Sequence, residues 1–349
     1  MNGPIDAKKH IQNHSTKAVQ NFNQHPGFRR MFAQDQLTIG LFLPLKFYKG
    51  HMEALKGQVN LVEYIDRKNF AAVWVRDIPL FDPAFGDAGQ VFDPFVYLSY
   101  LAARTKNVSL VTGSSIFTLR HPIDLAKAAA SLDVLSGGRL VLGIASGDRP
   151  VEFPAYGIDE EHRDVRFRET VEFFRELIQD GTDAIQSSLG QLKGLELLPK
   201  PTSGGIPLVV TGSSRQTLDW IAQNSDGWLT YPEATANKSG PQILSQKINA
   251  WREKIPNGMF KPHMTNEWID LVEDVNYPCT PLRGGYILRT GRAGLIELLE
   301  KWRAVGVNHA ALGIQFSSRP PAEVIQELAE EVLPLFPTLE GPKPLLTEW

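Results

Sequence analysis

One cysteine, Cys279, stands in 349 residues. A single thiol excludes an intramolecular disulfide and any multi-thiolate metal site. No apolar run approaches the roughly 20 residues of a membrane-spanning helix, and no charged-then-apolar leader opens the chain. There is no sustained basic block and the formal net charge is −3, so the electrostatic footprint of nucleic-acid or anionic-membrane binding is missing. Gly-x-x-x-x-Gly-Lys-Ser/Thr, His-Glu-x-x-His and the Gly-x-Ser-x-Gly of a nucleophile elbow are all absent. A tight metal site and an esterase are therefore disfavoured. The expectation is a soluble cytoplasmic protein whose partner is a small molecule.

What is present is ordinary globular material, 42% hydrophobic and 21% charged, enough to bury a sizeable core. Met1 to Gln36 is polar, carries three of the eight histidines and has no strand-like run. It reads as an N-terminal extension with one helix, wrapping the outside of the body. From Leu37 onward, short apolar runs alternate with helical patterns. The runs are 37–44, 71–76, 108–113, 139–145, 206–212, 226–231, 267–274 and 307–314. None alternates polar with apolar, as expected of parallel strands covered on both faces. Eight such runs fit a closed (β/α)8 barrel over 37–340, an α/β TIM barrel with loop insertions, better than an open sheet. Leu192 to Pro201 reads as a short hairpin or loop insertion, and 275–290 as a long loop.

In such a barrel the functional groups sit where strands pass into the following loops. Those positions are rich in Gly, Ser and Thr. Thr211-Gly212-Ser213-Ser214 stands between a strand and a helix, so free helix N–H groups and two hydroxyls would face the mouth as a phosphate cradle; plain N-capping by serine is the bland alternative. Ala145-Ser146-Gly147-Asp148-Arg149 repeats the pattern after the fourth strand, with Arg149 as an anion partner. Thr112-Gly113-Ser114 ends the third strand with bare backbone against which a ligand can lie, or with a simple bulge. Arg76 and Asp77 close the second strand, where Asp77 either orients a ligand or pairs with Arg76. Arg289 is a further anion anchor by position, and His121, before Pro122, reads as structural.

The stretch "TGSSIFTLRHPIDLAKAAASLDVLSGGRLVLGIASGD" resembles the bacterial luciferase-like flavin monooxygenase superfamily. The shared features are a strand ending in small residues, His-Pro before a helix, "LDVLSGGR" and "LGIASG". The resemblance extends from about Leu37 to Phe336, and it implies a (β/α)8 barrel binding FMN, or in one branch the deazaflavin coenzyme, at the C-terminal mouth. It implies that Gly113-Ser114 forms a non-proline cis peptide under the isoalloxazine ring. It also implies that Leu43 and Thr112 line the cofactor site, while Ala145 to Arg149 and Thr211 to Ser214 hold the phosphate end. A homodimer and a separate flavin reductase follow from it, since no Gly-x-Gly-x-x-Gly follows a strand. The chain departs from the pattern in one place: Ile78 stands where several members carry a histidine. Asp77 and Arg76 are then the candidates for proton handling and substrate contact. The competing expectations are a deazaflavin-dependent hydride-transfer enzyme, a flavin-binding protein without turnover, and a sugar-phosphate lyase, which would need a strand-end lysine where only Lys46 is offered.

Overall fold

The computed structural model describes residues 22–47, 55–85, 89–182, 184–237 and 239–340. In chain order its main elements are α1 (Pro26–Met31), β1 (Thr38–Phe42), α2 (Gln58–Arg67), β2 (Ala72–Val75), α3 (Pro94–Arg104), β3 (Ser109–Ile116), α4 (Pro122–Ser136) and β4 (Leu140–Ala145). They continue with α5 (Glu152–Ala155), α6 (Arg163–Ile178), β5 (Ala184–Ser187), β6 (Gly190–Lys193), β7 (Leu208–Thr211), α7 (Leu218–Asn224), β8 (Gly227–Thr230) and α8 (Gly240–Arg252). The chain then forms β9 (His263–Leu271), β10 (Thr280–Leu282), β11 (Ile287–Thr290), α9 (Arg292–Ala304), β12 (His309–Gly313) and α10 (Pro321–Glu327).

Eight parallel strands, β1, β2, β3, β4, β7, β8, β9 and β12, pair in that order, and β12 returns to β1 to close the expected barrel. The alternation of side chains along each strand divides the apolar residues into two cores. Ile39, Leu41, Val73, Leu110, Leu142 and Val210 point outward to the helices. Phe42, Trp74, Val111, Val141, Val209, Met264 and Ala311 fill the barrel. Both faces are therefore buried, and the strands read as unbroken apolar runs.

The described part of the extension does not wrap the outside. Residues 22–36 close the N-terminal end of the barrel, with Phe22, Phe28, Met31 and Phe32 joining the inner core. Each such side chain contributes about 1.5–3 kcal/mol of burial. His25 caps α1 by accepting from Phe28 N and lies 3.3 Å from Asp133. Thr38 Oγ1 donates to Met31 O, and Ser109 Oγ donates to Gly27 O at 2.9 Å. A Cβ on Gly27 would lie 2.6 Å from Arg139 O, so only glycine fits this approach. The expectation for residues 1–21 lies outside the described residues.

Three other expectations are corrected. The hairpin is β5–β6 at 184–193, so only Leu192 and Lys193 of the 192–201 segment belong to it and the rest is loop. The "long loop" 275–290 contains the β10–β11 hairpin, whose second strand runs parallel to the end of β9. Finally, β9 begins at His263, four residues before the expected strand, because buried Thr265, Asn266 and Glu267 interrupt its apolar signal.

The "LSGGR" motif proves structural. Gly137 and Gly138 take left-handed backbone after α4 and deliver Arg139 into the wall. There its guanidinium donates to the carbonyls of Ala102, Thr105, Val108 and Ser136. Burial lowers it to about 10.

Candidate active site

At the C-terminal end of the strands lies a cavity of about 670 Å³, within the usual range for a ligand site. Its first wall comes from β3, β4 and β7. The Gly113–Ser114 peptide is cis, and the β3–β4 register shifts between Thr112 and Ser115. Gly113 faces the barrel interior, where an added Cβ would lie 2.7 Å from the Phe42 ring and 2.9 Å from Trp74. Gly143 is equally constrained, since a Cβ there would meet Thr112 O at 2.0 Å. Ser114 Oγ shares a hydrogen bond with Thr211 Oγ1, so the ends of β3 and β7 are tied together.

Beyond this floor, Ala145, Ser146, Gly147, Asp148 and Arg149 line the cavity on one side, and Thr211, Gly212, Ser213, Ser214 and Arg215 on the other. The helix after β7 does not begin at the serines. It starts at Leu218 behind its cap Thr217, so its N–H groups are not the cradle that the sequence suggested. The loop itself supplies the concavity. Gly212 (φ 58°), Ser214 (φ 44°) and Arg215 (φ 58°) are all left-handed, a conformation that serine and arginine adopt only when the surroundings hold them. Ser214 Oγ donates to Thr211 O at 2.8 Å, and Gln216 fastens the loop to α6 through Arg168 and Asp164 O. Arg149, Arg163 and Arg215 bring three guanidinium groups to this end, Arg149 lying 4.1 Å over the Phe85 ring.

The opposite wall is aromatic and acidic. Trp268 stands 5.6 Å from Phe42 and 6.2 Å from Tyr286, and Arg76 lies 5.1 Å above its indole. Tyr231, Pro232, Asn266 and Glu267 complete it. Glu267 is 3% exposed, accepts from Trp268 N at 2.9 Å and from Thr235 Oγ1 at 2.7 Å, and is pushed up to about 7 by burial. It forms no ion pair with a described residue. Sequence reasoning missed Phe42, Arg163, Arg215, Glu267, Trp268 and Tyr286. Only Phe42 carried a usable signal, since it alternates with Leu41 and Leu43.

Of the residues expected at the cofactor site, two lie elsewhere. Leu43 and Thr112 have outward parity: Leu43 sits in the outer core and Thr112 Oγ1 donates to Gly143 O at 2.7 Å. Arg289 is bound to Asp270 at 2.7 Å and does not line the cavity. Asp77 does line it, but its partner is Arg120, not Arg76. The Arg120 Nη2 reaches Asp77 Oδ1 at 2.9 Å, and Ile116 N donates to Oδ2 at 3.1 Å. Arg120 also holds Asp93, the cap of α3. Burial would lower Arg120, but Asp77 and Asp93 outweigh it and hold it above its ordinary value. Burial pushes the Asp77 carboxyl up, opposed by Arg120 and the Ile116 N–H. His121 caps α4 and contacts Leu189 O, a structural position. Among the described residues no histidine and no lysine lines the cavity, so Lys46 is not placed as a Schiff-base group.

A family model described as luciferase-like monooxygenase matches residues 37–254. The chain belongs to that family. The alkanal monooxygenase beta chain of Photorhabdus luminescens is 25% identical over 164 residues, 47% of this chain and 49% of that one. Among solved structures, the oxygenating constituent of 3,6-diketocamphane monooxygenase from Pseudomonas putida, in complex with FMN, superposes with TM-score 0.68 at 13% identity. It covers 88% of this chain and all of its own. The coenzyme F420 dependent tetrahydromethanopterin reductase of Methanopyrus kandleri gives TM-score 0.64 at 14% identity, over 86% and 99% of the two chains. At these identities the structural likeness shows a shared fold. Among the described residues no helix is long and apolar enough to cross a membrane.

Proposed function

We propose that the protein is a flavin-dependent monooxygenase that uses reduced FMN and O2 to oxidise a small organic substrate. The observation that carries this reading is the side-chain-free Gly113 floor flanked by the Ser146–Gly147 and Gly212–Ser214 loops in one cavity. The fit of FMN rests on this chain's own groups. Bare backbone at Gly113 admits a flat ring. Left-handed Gly212 and Ser214 make a concave loop beside three guanidinium groups, which suits a phosphate. When bound, FMN supplies the oxygen chemistry that no side chain here can perform.

The protein's part is to hold, shield and deliver protons. Ser146 and Ser213 would donate to the phosphate oxygens, with Arg149, Arg163 and Arg215 neutralising their charge, while Ser214 Oγ, bound to Thr211 O, holds the curve of the loop. Phe42, Trp268 and Tyr286 exclude water from the far end of the ring, which limits wasteful decay. Arg76, held over Trp268, contacts the substrate. Asp77 acts as a positioning residue, because its carboxylate is committed to Arg120 and fixes the loop after β3. A separate reductase delivers reduced FMN, and the working form is a homodimer in the cytoplasm.

Titration of the purified protein with FMN and, separately, with the deazaflavin coenzyme, followed by visible absorption, tests the reading. Binding of FMN that Gly113→Val abolishes supports it. Preference for the deazaflavin coenzyme would transfer the same site to hydride transfer, and binding of neither would sink it. A substrate-dependent product with reduced FMN and O2 distinguishes an enzyme from a flavin-binding protein without turnover.

A further inference from the structure

The proposed reaction needs a proton donor at the aromatic end of the cavity, and no histidine among the described residues lines it; Ile78 occupies the wall after β2. We propose that Glu267 is the proton-exchanging group of this pocket, acting as a carboxylic acid toward the oxygen that leaves as water. This rests on the monooxygenase reading above.

Four observations converge. Glu267 lines the cavity midway along β9, next in the chain to Trp268. It is almost wholly buried, and both carboxyl oxygens accept from uncharged donors, Thr235 Oγ1 and Trp268 N. The charged and titratable groups on neighbouring elements are otherwise engaged, are phenols or, like Asp148, are acids. Arg76 lies on Trp268, Glu233 is paired with Lys247, Asp270 with Arg289, and Arg283 lies over Phe316; Tyr231, Tyr286 and Asp148 line the cavity, and β12 contributes Leu312 and Gly313. No described cation pairs with Glu267, so protonation leaves no partner charge exposed, in contrast to Asp77. Next to it Asn266 is 8% exposed and its Oδ1 has no hydrogen-bond partner among the described residues, which marks this wall as built for a polar ligand.

The atoms balance simply. O2 gives one oxygen to the substrate, the anionic reduced flavin gives two electrons and one proton, and the second oxygen leaves as water once a second proton reaches it. Glu267 loses its O–H bond as an O–H bond of that water forms, and the carboxylate regains a proton from solvent through the cavity mouth. Burial tunes the carboxyl to about 7, where donation and recovery are both accessible at neutral pH.

The test uses full-length protein carrying carboxyl-¹³C glutamate, with and without oxidised FMN, alongside stopped-flow reoxidation of bound reduced FMN by O2 across pH. The expected result is one glutamate resonance titrating near 7 that Glu267→Gln removes. The same inflection should appear in the reoxidation profile and flatten in Glu267→Gln. Thr235→Val, which removes a hydrogen bond that favours the carboxylate, should move both midpoints upward, a response that a merely structural carboxyl would not transmit to the rate. An inflection that survives Glu267→Gln, or a Glu267 resonance titrating near 4, overturns the proposal while FMN binding stands. Failure of wild-type protein to bind FMN overturns the proposal together with the monooxygenase reading.

Discussion

The two walls of the cavity are built by opposite means. The β3, β4 and β7 side is made largely of Gly, Ser and Thr, with left-handed turns and a register shift that shape its backbone around the cavity. The β8 and β9 side is made of large side chains, an indole, phenols, an amide and a buried carboxyl, that meet only because the barrel closes. Backbone-built recognition suits an invariant cofactor, since nothing in it can repack. A side-chain-built wall suits a substrate and the handling of protons, since its volume and charge change with one substitution.

Two of the three carboxyls that line the cavity, Asp77 and Glu267, sharpen this contrast. Asp77 is locked to a guanidinium, so Asp77→Asn should leave the half-buried Arg120 with Asp93 as its remaining counter-charge. Chemical denaturation is expected to show a loss of about 3 kcal/mol, the low end of the range for breaking a buried pair because Arg120 keeps one carboxylate; a loss under about 1 kcal/mol would show the ion pair to be slack. Glu267 has no such lock. Its folded value lies above its unfolded one, so the stabilising effect is full below about 4.5 and is lost as pH rises through about 7. Wild-type stability should therefore fall by about 3 kcal/mol across that window relative to Glu267→Gln. Parallel pH–stability curves for the two proteins would place Glu267 in solvent.

On the small-residue side, Gly113→Val is expected to weaken FMN binding about a hundredfold, through displacement of Phe42 and Trp74, while leaving the Glu267 titration in place. Retained affinity would mean that the ring lies elsewhere. Ser214→Ala carries the smallest effect, about a fivefold rise in the FMN dissociation constant from one lost hydrogen bond. Equal affinities would show that the loop keeps its curve without that bond.

The small-residue wall was legible because its signals are local. Gly-Ser pairs at the ends of apolar runs mark strand ends, and the resemblance across Ser109 to Asp148 placed Gly113 and Ser146 directly. Leu43 and Thr112 were placed wrongly for an equally local reason: strand parity turns alternate residues away from the barrel, and a strand end named in one letter string does not say which parity faces inward. The aromatic wall was illegible. Trp268 and Glu267 lie in a strand whose polar residues hid its beginning, and Tyr286 lies in a hairpin that read as loop.

The chain's own order of residues determined the eight buried runs, the glycines where no Cβ fits, and the small hydroxyl residues at the mouth, because each follows from backbone conformation and burial within a few positions. Only the tertiary structure decided that residues 22–36 plug the barrel, that Arg120 and not Arg76 holds Asp77, and that a carboxyl on β9 shares a cavity with the loops after β4 and β7. Those neighbours are distant in the chain, and closure of the sheet is what selects them.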